Sequence, residues 1–564
     1  MTKSDLKKRT RARESSNAIE RLYITMRHLL NRGFYKPYGV SGNTLKQGLL
    51  TLQPEIYGDI ATEKNELSGL KYVMDRLPYG IEQTRVIHLT DNEGYRNSQF
   101  TPIIPPKRRR NCYRIDKDQM NIELTRGRSD VYDILTHLTF LFIESHKIIK
   151  NAVIDNEGNT GREWNALEEV VLNSKKLNKK EQEVIIAYLS TLLGRTFSET
   201  KEAFETFAEK NNKNRFFELI YWLGKLALDE AYAGKKREVK FSARLRERLG
   251  HHVYGEIWAN NIKRVLKEND LLDRPIHIIS ANMHSVMNSL FARKALKTQD
   301  KRLNVYKKLS LSQNDKLREK VKDFAVKNGM IEVKDFSGAN IDVQIFDTGK
   351  IKDSDYQIPG KKSNEKPVFI VMDYAFGEQA FEVMDELLKP YEENNKKQHL
   401  NVQSISIMGK AGILTGKKGD VMIPNVHMFE GTADNYPFEN DLRIEDFEGD
   451  GIDVYEGTMV TVLGTSLQNK DILSFFKNST WKAIGLEMEG AHYQKAIQSA
   501  SKIRGNIGKD VKVRYAYYAS DNPLETGSTL ASGPLGEKGV KPTYLITDKI
   551  LNKIFTQNES KQTN

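Results

Sequence analysis

Along the first 250 positions apolar residues recur at intervals of three and four. SSNAIERLYITMRHLLNRG (15–33) shows this spacing clearly, and it predicts an amphipathic helix with Ser15 or Ser16 as N-cap and Gly33 as stop. SDVYDILTHLTFLFIESHKIIKNAV (129–153), KKEQEVIIAYLSTLLG (179–194) and RFFELIYWLGKLALDEAYAG (215–234) repeat the pattern. Between the first two lies an irregular stretch with Pro102, Pro105, Pro106 and a run of arginines. The expectation is a mainly α-helical domain over residues 1–250, with its aromatic stripes read as core.

The texture changes near residue 271. RPIHIISANMHSVMNSLFARKAL (274–296) reads as an apolar strand, a small polar turn and an amphipathic helix. A strand-like IDVQIFDTG (341–349) and a loop, IPGKKSNEK (358–366), follow. KPVFIVMDYAFGEQAFEVMDELLKPY (366–391) repeats strand, turn and helix. NVQSISIMGKAGILTGKKGDVMIPNV (401–426) gives strand, glycine loop, strand; GTMVTVLGTSL (457–467) and KVRYAYYASDNPL (512–524) add two more. Alternating strands and helices predict a three-layer α/β domain with a largely parallel sheet over residues 271–555.

Composition changes this picture little. The 564 residues are 39% hydrophobic and carry a formal charge of +12, which fits a folded chain of more than one domain. No apolar run approaches the roughly 20 residues that span a bilayer, and no signal-type apolar stretch follows the basic N-terminus. A single cysteine, Cys112, leaves no internal disulfide to form, so a reducing, cytoplasmic setting is the expectation. The basic runs KKRTRAR (7–13), PPKRRR (105–110) and GKKREVKFSARLRERLGHH (234–252) read as solvated faces, or as contacts to nucleic acid or a phosphorylated small molecule. No motif supports nucleic acid, and no CxxC pair or HExxH points to a metal.

Chemistry concentrates at the strand ends of the second half, where open α/β sheets usually place their sites. MGKAGILTGKKGD (408–420) offers Gly409 and Gly412 for close backbone approach to a ligand. WKAIGLEMEGAHYQKAI (481–497) carries Glu487, Met488 and Glu489 where a strand gives way to a helix. ASDNPL (519–524) sets Asp521 directly after a strand. Each has a plainer reading: an E-x-E can complement a helix dipole, and Asp before Asn-Pro can be a turn. Their joint order favours one shared site.

That order resembles the nucleoside phosphorylase and nucleosidase superfamily, which splits the N-glycosidic bond of nucleosides, and the resemblance covers roughly residues 271–555. The matching segments are Gly409-Lys410-Ala411-Gly412 with Gly419-Asp420, then Glu487-Met488-Glu489, then Ser520-Asp521. The resemblance implies that Glu489 binds the ribose hydroxyls and favours a cationic sugar. Met488 would pack on the sugar and Glu487 shape the same pocket. Asp521 would act as general acid at the base, with Ser520 and Asn522 reading it. His284, after the first strand, is a further candidate.

Two departures leave the reaction open. Phosphorylases of this type carry an arginine where Ile407 stands, and thioether-nucleoside hydrolases a glutamate where Ser285 stands. In plan the resemblance is closest to bacterial AMP nucleosidases, which hydrolyse nucleotides, have an extra N-terminal domain and place a basic side chain where Lys410 stands. The expectation is therefore hydrolysis of a purine nucleoside or nucleotide, without cofactor or metal, by a homo-oligomer. Phosphorolysis, with phosphate as co-substrate, and a non-catalytic nucleotide sensor with a basic partner-binding half stand as alternatives.

Overall fold

The computed structural model describes residues 3–173, 177–360, 365–432, 434–525 and 535–560, with side chains from 10 to 556 among them. The loop expected over 358–366, the basic run 7–13 and the polar tail from 558 fall partly outside the described residues. The chain divides into two compact units. One comprises residues 1–125, 130–251 and 466–469, the other residues 126–129, 252–465 and 470–564. Among the described residues no helix is long and apolar enough to cross a membrane.

The first unit contains the expected helices, among them Arg128–Ala152, Lys179–Leu193 and Arg215–Tyr232; the first helix runs from Lys3 to Arg32, so Ser15 and Ser16 lie inside it and do not cap it. It also contains a sheet that the helical spacing did not announce. Strands β1 (Phe34–Tyr35), β2 (Val86–Thr90), β3 (Cys112–Arg114), β4 (Gln119–Glu123) and β5 (Glu238–Phe241) run in the order β1-β5-β2-β4-β3. Each is five residues or shorter, too short for period-two alternation to stand out from the helical background.

Two arginines of the 105–110 run, Arg108 and Arg110, turn inward within this unit, while Arg109 between them is exposed. Arg110 and Asp130 side chains are 1% and 2% exposed and pair at 2.7 Å; Arg110 also reaches Asp133 at 2.6 Å, as Arg108 does at 2.7 Å. Burial pushes the Asp133 carboxyl up, but Arg108 and His137 outweigh it and hold the group well below the usual carboxylate range. In the 234–252 run, Arg237 pairs with Glu230, and Arg244 and Arg248 with Asp91. Much of the positive charge open to a partner in sequence is therefore spent on internal carboxylates.

In the second unit the strands are β6 (Ile276–Ser280), β7 (Met330–Val333), β8 (Val343–Asp347), β9 (Val368–Met372), β10 (Tyr391–Glu393), β11 (Lys396–Gln398), β12 (Val402–Ile413), β13 (Val421–Phe429), β14 (Asn435–Pro437), β15 (Val454–Thr461), β16 (Gly485–Glu487) and β17 (Lys512–Asp521). Strands β10 and β11 form a separate ribbon; the others share one sheet. Alternate side chains of a strand serve opposite cores: Val368, Ile370 and Met372 join one, Phe369 and Val371 the other. Helices Val253–Glu268, Gln379–Leu387 and Gly490–Gln498 cover the first face through Trp258, Val383 and Ile497. Helices Met283–Leu296, Asp315–Lys327 and Val540–Ser560 cover the second through Leu290, Ala325 and Ile550.

The sheet is mixed rather than largely parallel. Its centre, β9-β6-β12-β17, is parallel, but β7, β8 and β14 join antiparallel. It also curls. Strand β12 pairs with β17, β17 with β13, β13 with β15, β15 with β16, and β16 with β12 again, which closes a ring of five strands. The register between the twelve-residue β12 and β17 shifts between Ala411 and Gly412, which leaves Ser520 as an extra residue on β17.

Removing Asp133 would strand two arginines in a low-dielectric interior. Asp133→Ala is expected to lower the unfolding free energy by about 3–5 kcal/mol, read as a reduced midpoint in chemical denaturation. An unchanged midpoint would show that the network contributes no stability.

Candidate active site

The closure of the ring leaves a gap along one edge of β12. Strand β6 pairs with it as far as Ile407, and β16 takes over only at Gly412. Neither reaches Met408–Ala411. A cavity of about 270 Å3 opens at this gap, lined by Ile407 to Gly412, by Glu487, Met488 and Glu489, and by Ser520. Backbone groups that would otherwise complete a sheet ladder thus face a space for a ligand.

The two glutamates divide the work between them. Glu487 ends β16 and is 5% exposed. Its Oε2 accepts the N–H groups of Glu489, at 2.5 Å, and of Gly490; its Oε1 accepts from Thr461 Oγ1 and lies 3.5 Å from His427 Nδ1. Thr461 Oγ1 in turn accepts the Ala491 N–H at 2.9 Å. The first N–H groups of helix Gly490–Gln498, which have no partner inside the helix, are thereby satisfied. Burial pushes the Glu487 carboxyl up, but His427, Thr461 and the Gly490 N–H outweigh it and keep it below the ordinary glutamate value. The helix-dipole reading of E-x-E therefore describes Glu487.

Glu489 lines the same cavity without the set of donors that gathers on Glu487. Its Oε1 accepts the Gly377 N–H at 2.9 Å. Burial first, and the neighbouring Glu487 carboxylate second, push its carboxyl up to about 7, against the pull of the Gly377 N–H and Arg126. Gly377 has φ +55°, and a Cβ there would collide with Ser129, so only glycine presents this N–H to the carboxylate.

The aspartate side is assembled by the 414–420 loop. Asn522 Nδ2 donates to the Gly416 carbonyl at 2.8 Å, the Gly419 N–H donates to the Ala519 carbonyl at 2.9 Å, and the Ala519 N–H donates to the Asp420 carbonyl at 2.8 Å. Asp521 is 4% exposed, stands opposite Gly412 across the β12–β17 pairing, and accepts from Ser520 Oγ. Ser520 lines the cavity; Asp521 lies immediately behind that wall and is not itself a lining residue. Asn522 does not line it either, because its amide is committed to the loop, donating to Gly416 and accepting from the Leu524 N–H. His284 stands exposed in the first turn of helix Met283–Leu296, away from the lining, with its backbone N–H on Asn282 Oδ1.

Several lining residues were not singled out from the sequence. Tyr374 and Phe376 come from the turn after β9, Tyr517 and Tyr518 from β17, and Ser280 from the end of β6. Tyr493, one helical turn after Glu489, shares a 3.2 Å hydrogen bond with Ser280 Oγ. The i, i+4 spacing of Glu489 and Tyr493 was a signal available in the sequence. Lys410 is the cationic lining residue, and it makes no ion pair or hydrogen bond through its side chain among the described residues. Among the described residues no group of three His, Cys, Asp or Glu side chains is arranged to hold a metal ion.

Glycine is demanded less at Gly409 than at Gly490. A Cβ on Gly409 would sit 3.7 Å from the Tyr374 ring, an ordinary contact, whereas one on Gly490 would collide with His427 and reach within 2.8 Å of Glu487 Oε1. Gly490→Ala is expected to cost about 1–3 kcal/mol of stability and Gly409→Ala much less, compared in parallel denaturant titrations. Equal losses would contradict this account of the turn.

A model of a family of unknown function (DUF6909) matches residues 43–308 and 303–556. Among solved structures, futalosine hydrolase of Helicobacter pylori strain 26695 is similar at 14% identity, over 50% of this chain and 98% of that one, with a TM-score of 0.31. The 5′-methylthioadenosine/S-adenosyl homocysteine nucleosidase of Campylobacter jejuni is similar at 12% identity, over 50% and 99%, with a TM-score of 0.30. No curated protein matches the sequence.

Proposed function

The chain belongs to DUF6909, a family of unknown function, and we propose that this member hydrolyses the N-glycosidic bond of a purine nucleoside or nucleotide. The observation that supports the reading is the placement of Glu489 and Ser520 on the lining of the cavity at the open edge of β12, with Asp521 hydrogen-bonded to Ser520 behind it.

In this reading the sugar lies against Met488 with its hydroxyls on Glu489. As the bond from C1′ to the base nitrogen breaks, its electron pair leaves with the base and positive charge grows on the sugar. The Glu489 carboxylate stabilises that charge across a cavity walled by Tyr374, Phe376 and Tyr517, where little water screens it. Asp521 delivers a proton to the departing base, after the lining has adjusted to admit it. Water adds its oxygen to C1′ and returns a proton to Asp521, so the atoms balance. Lys410, without an internal partner, is placed for the 5′-phosphate of a nucleotide, as a point charge on a flexible stem. Glu487 acts through the turn and does not touch substrate in this reading.

The test is release of free base from purine nucleosides and their 5′-monophosphates, with and without phosphate. Release without phosphate is the expected result; release only with phosphate would select phosphorolysis, and binding of a nucleotide without turnover would select a sensor. Asp521→Asn is expected to reduce turnover by about 100-fold or more with the fold intact by circular dichroism. A near-normal rate would remove Asp521 from the proton-donor role.

The pH dependence follows from Glu489. Its carboxyl is raised in the folded chain to about 7, so the ionised form that favours a cationic sugar appears only as pH rises through that value. The kcat/KM profile is expected to fall on the acid side of about 7, and Glu489→Gln to lose that limb along with most activity. For stability the sign is opposite: the folded state holds a proton that the unfolded state releases near 4.5, so this group makes folding less favourable as pH rises from about 4.5 to 7.

A further inference from the structure

A second cavity, of about 330 Å3, lies at the other end of strand β17. Whereas Ser520 and Asp521 at the C-terminal end of that strand belong to the site above, Lys512 and Val513 at its beginning line this one. Its wall is the last turn of helix Gly490–Gln498 and the π-helical turn Ser499–Ile503 that continues it. A π-turn interrupts regular helical bonding and recurs at functional positions.

Two observations converge on a ligand. Gln494, 2% exposed, lines the cavity, and its Oε1 accepts no hydrogen bond among the described residues. A buried carboxamide oxygen left so has given up its hydrogen bond to water, which a donor on a bound molecule would replace. The second observation is charge. Glu439 is paired with Arg443 and Asp441 with Arg514, while the lining lysines Lys502, Lys509 and Lys512 have no ion pair among the described residues, with Asp510 the carboxylate left to them.

We infer that this cavity is a second ligand site, for a small phosphate monoester that also carries O–H or N–H donors. The lysines meet the phosphate at the rim and Gln494 takes a donor at the floor. The site is physically continuous with the Glu487 turn by two routes. Gln494 stands on the helix whose first turn Glu487 caps. Phe438, another lining residue, stacks on His427 with ring centroids 5.4 Å apart, and His427 faces Glu487. Occupancy steadies the His427–Glu487 contact and with it the presentation of Glu489, so the ligand is an effector of the first site.

The test is calorimetric titration of the full chain carrying Glu489→Ala, which disables the first site, with glycerol 3-phosphate, inorganic phosphate and glycerol. Glycerol 3-phosphate is expected to bind at millimolar concentration or below, inorganic phosphate more weakly, and glycerol not at all. The surface double variant Lys502→Glu/Lys512→Glu is expected to weaken binding about tenfold or more, and Gln494→Met to bring glycerol 3-phosphate down to the level of inorganic phosphate. Absence of binding, or an affinity indifferent to lysine reversal, overturns the site. Amide hydrogen exchange in the chain with Glu489 intact is expected to slow at residues 487–491 when glycerol 3-phosphate is present; unchanged exchange there overturns the coupling. Neither measurement uses turnover, so failure of this site and failure of the glycosidic reading are separable.

Discussion

A buried, ionised Glu487 is the constraint on which the site depends. A carboxylate out of water is tolerated only where donors replace its hydration, and here they come from the first N–H groups of the following helix and from Thr461, with His427 facing the same oxygen. Those partners sit on β15, β13 and the helix after β16. One charge thus ties three strands and a helix to a single turn geometry, and the requirement for glycine at 490 follows from how closely His427 and Glu487 approach there.

The same turn sets two chemically identical side chains apart. Glu487 gathers donors and is held ionised. Glu489, two residues on, has the Gly377 N–H and sits beside the Glu487 charge, so its proton is held more tightly. Neighbouring acids pushed in opposite directions mark a division between support and chemistry. The cavity that Glu489 lines exists because β12 outruns β6 before β16 reaches it. The position of the site is therefore a consequence of where the neighbouring strands end along β12.

Charge shows how far a one-dimensional count can mislead. A surplus of +12 with dense arginine runs suggests a surface for polyanions. Yet Arg108, Arg110, Arg237, Arg244 and Arg248 are matched by Asp130, Asp133, Glu230 and Asp91. The lysines of the 502–512 segment, less conspicuous in sequence, keep their charge available at the rim of a cavity.

What the sequence determined by itself is what short-range physics controls. Periodicity located the long helices and the apolar strands, and a family resemblance carried by residue order suggested a shared site for the glycine loop, the paired glutamates and the late aspartate. It could not show that the sheet is mixed and closes into a ring, because strand neighbours are chosen by long-range pairing. Nor could it separate Glu487 from Glu489, or reveal that Asn522 spends its amide on Gly416, since those partners lie far away in sequence. The aromatic walls from Tyr374 and Phe376, and the orphaned oxygen of Gln494, escaped for the same reason. Local preference depends on the residues within a turn or two; burial, and the hydrogen bonds that burial demands, depend on which distant segments fold against them.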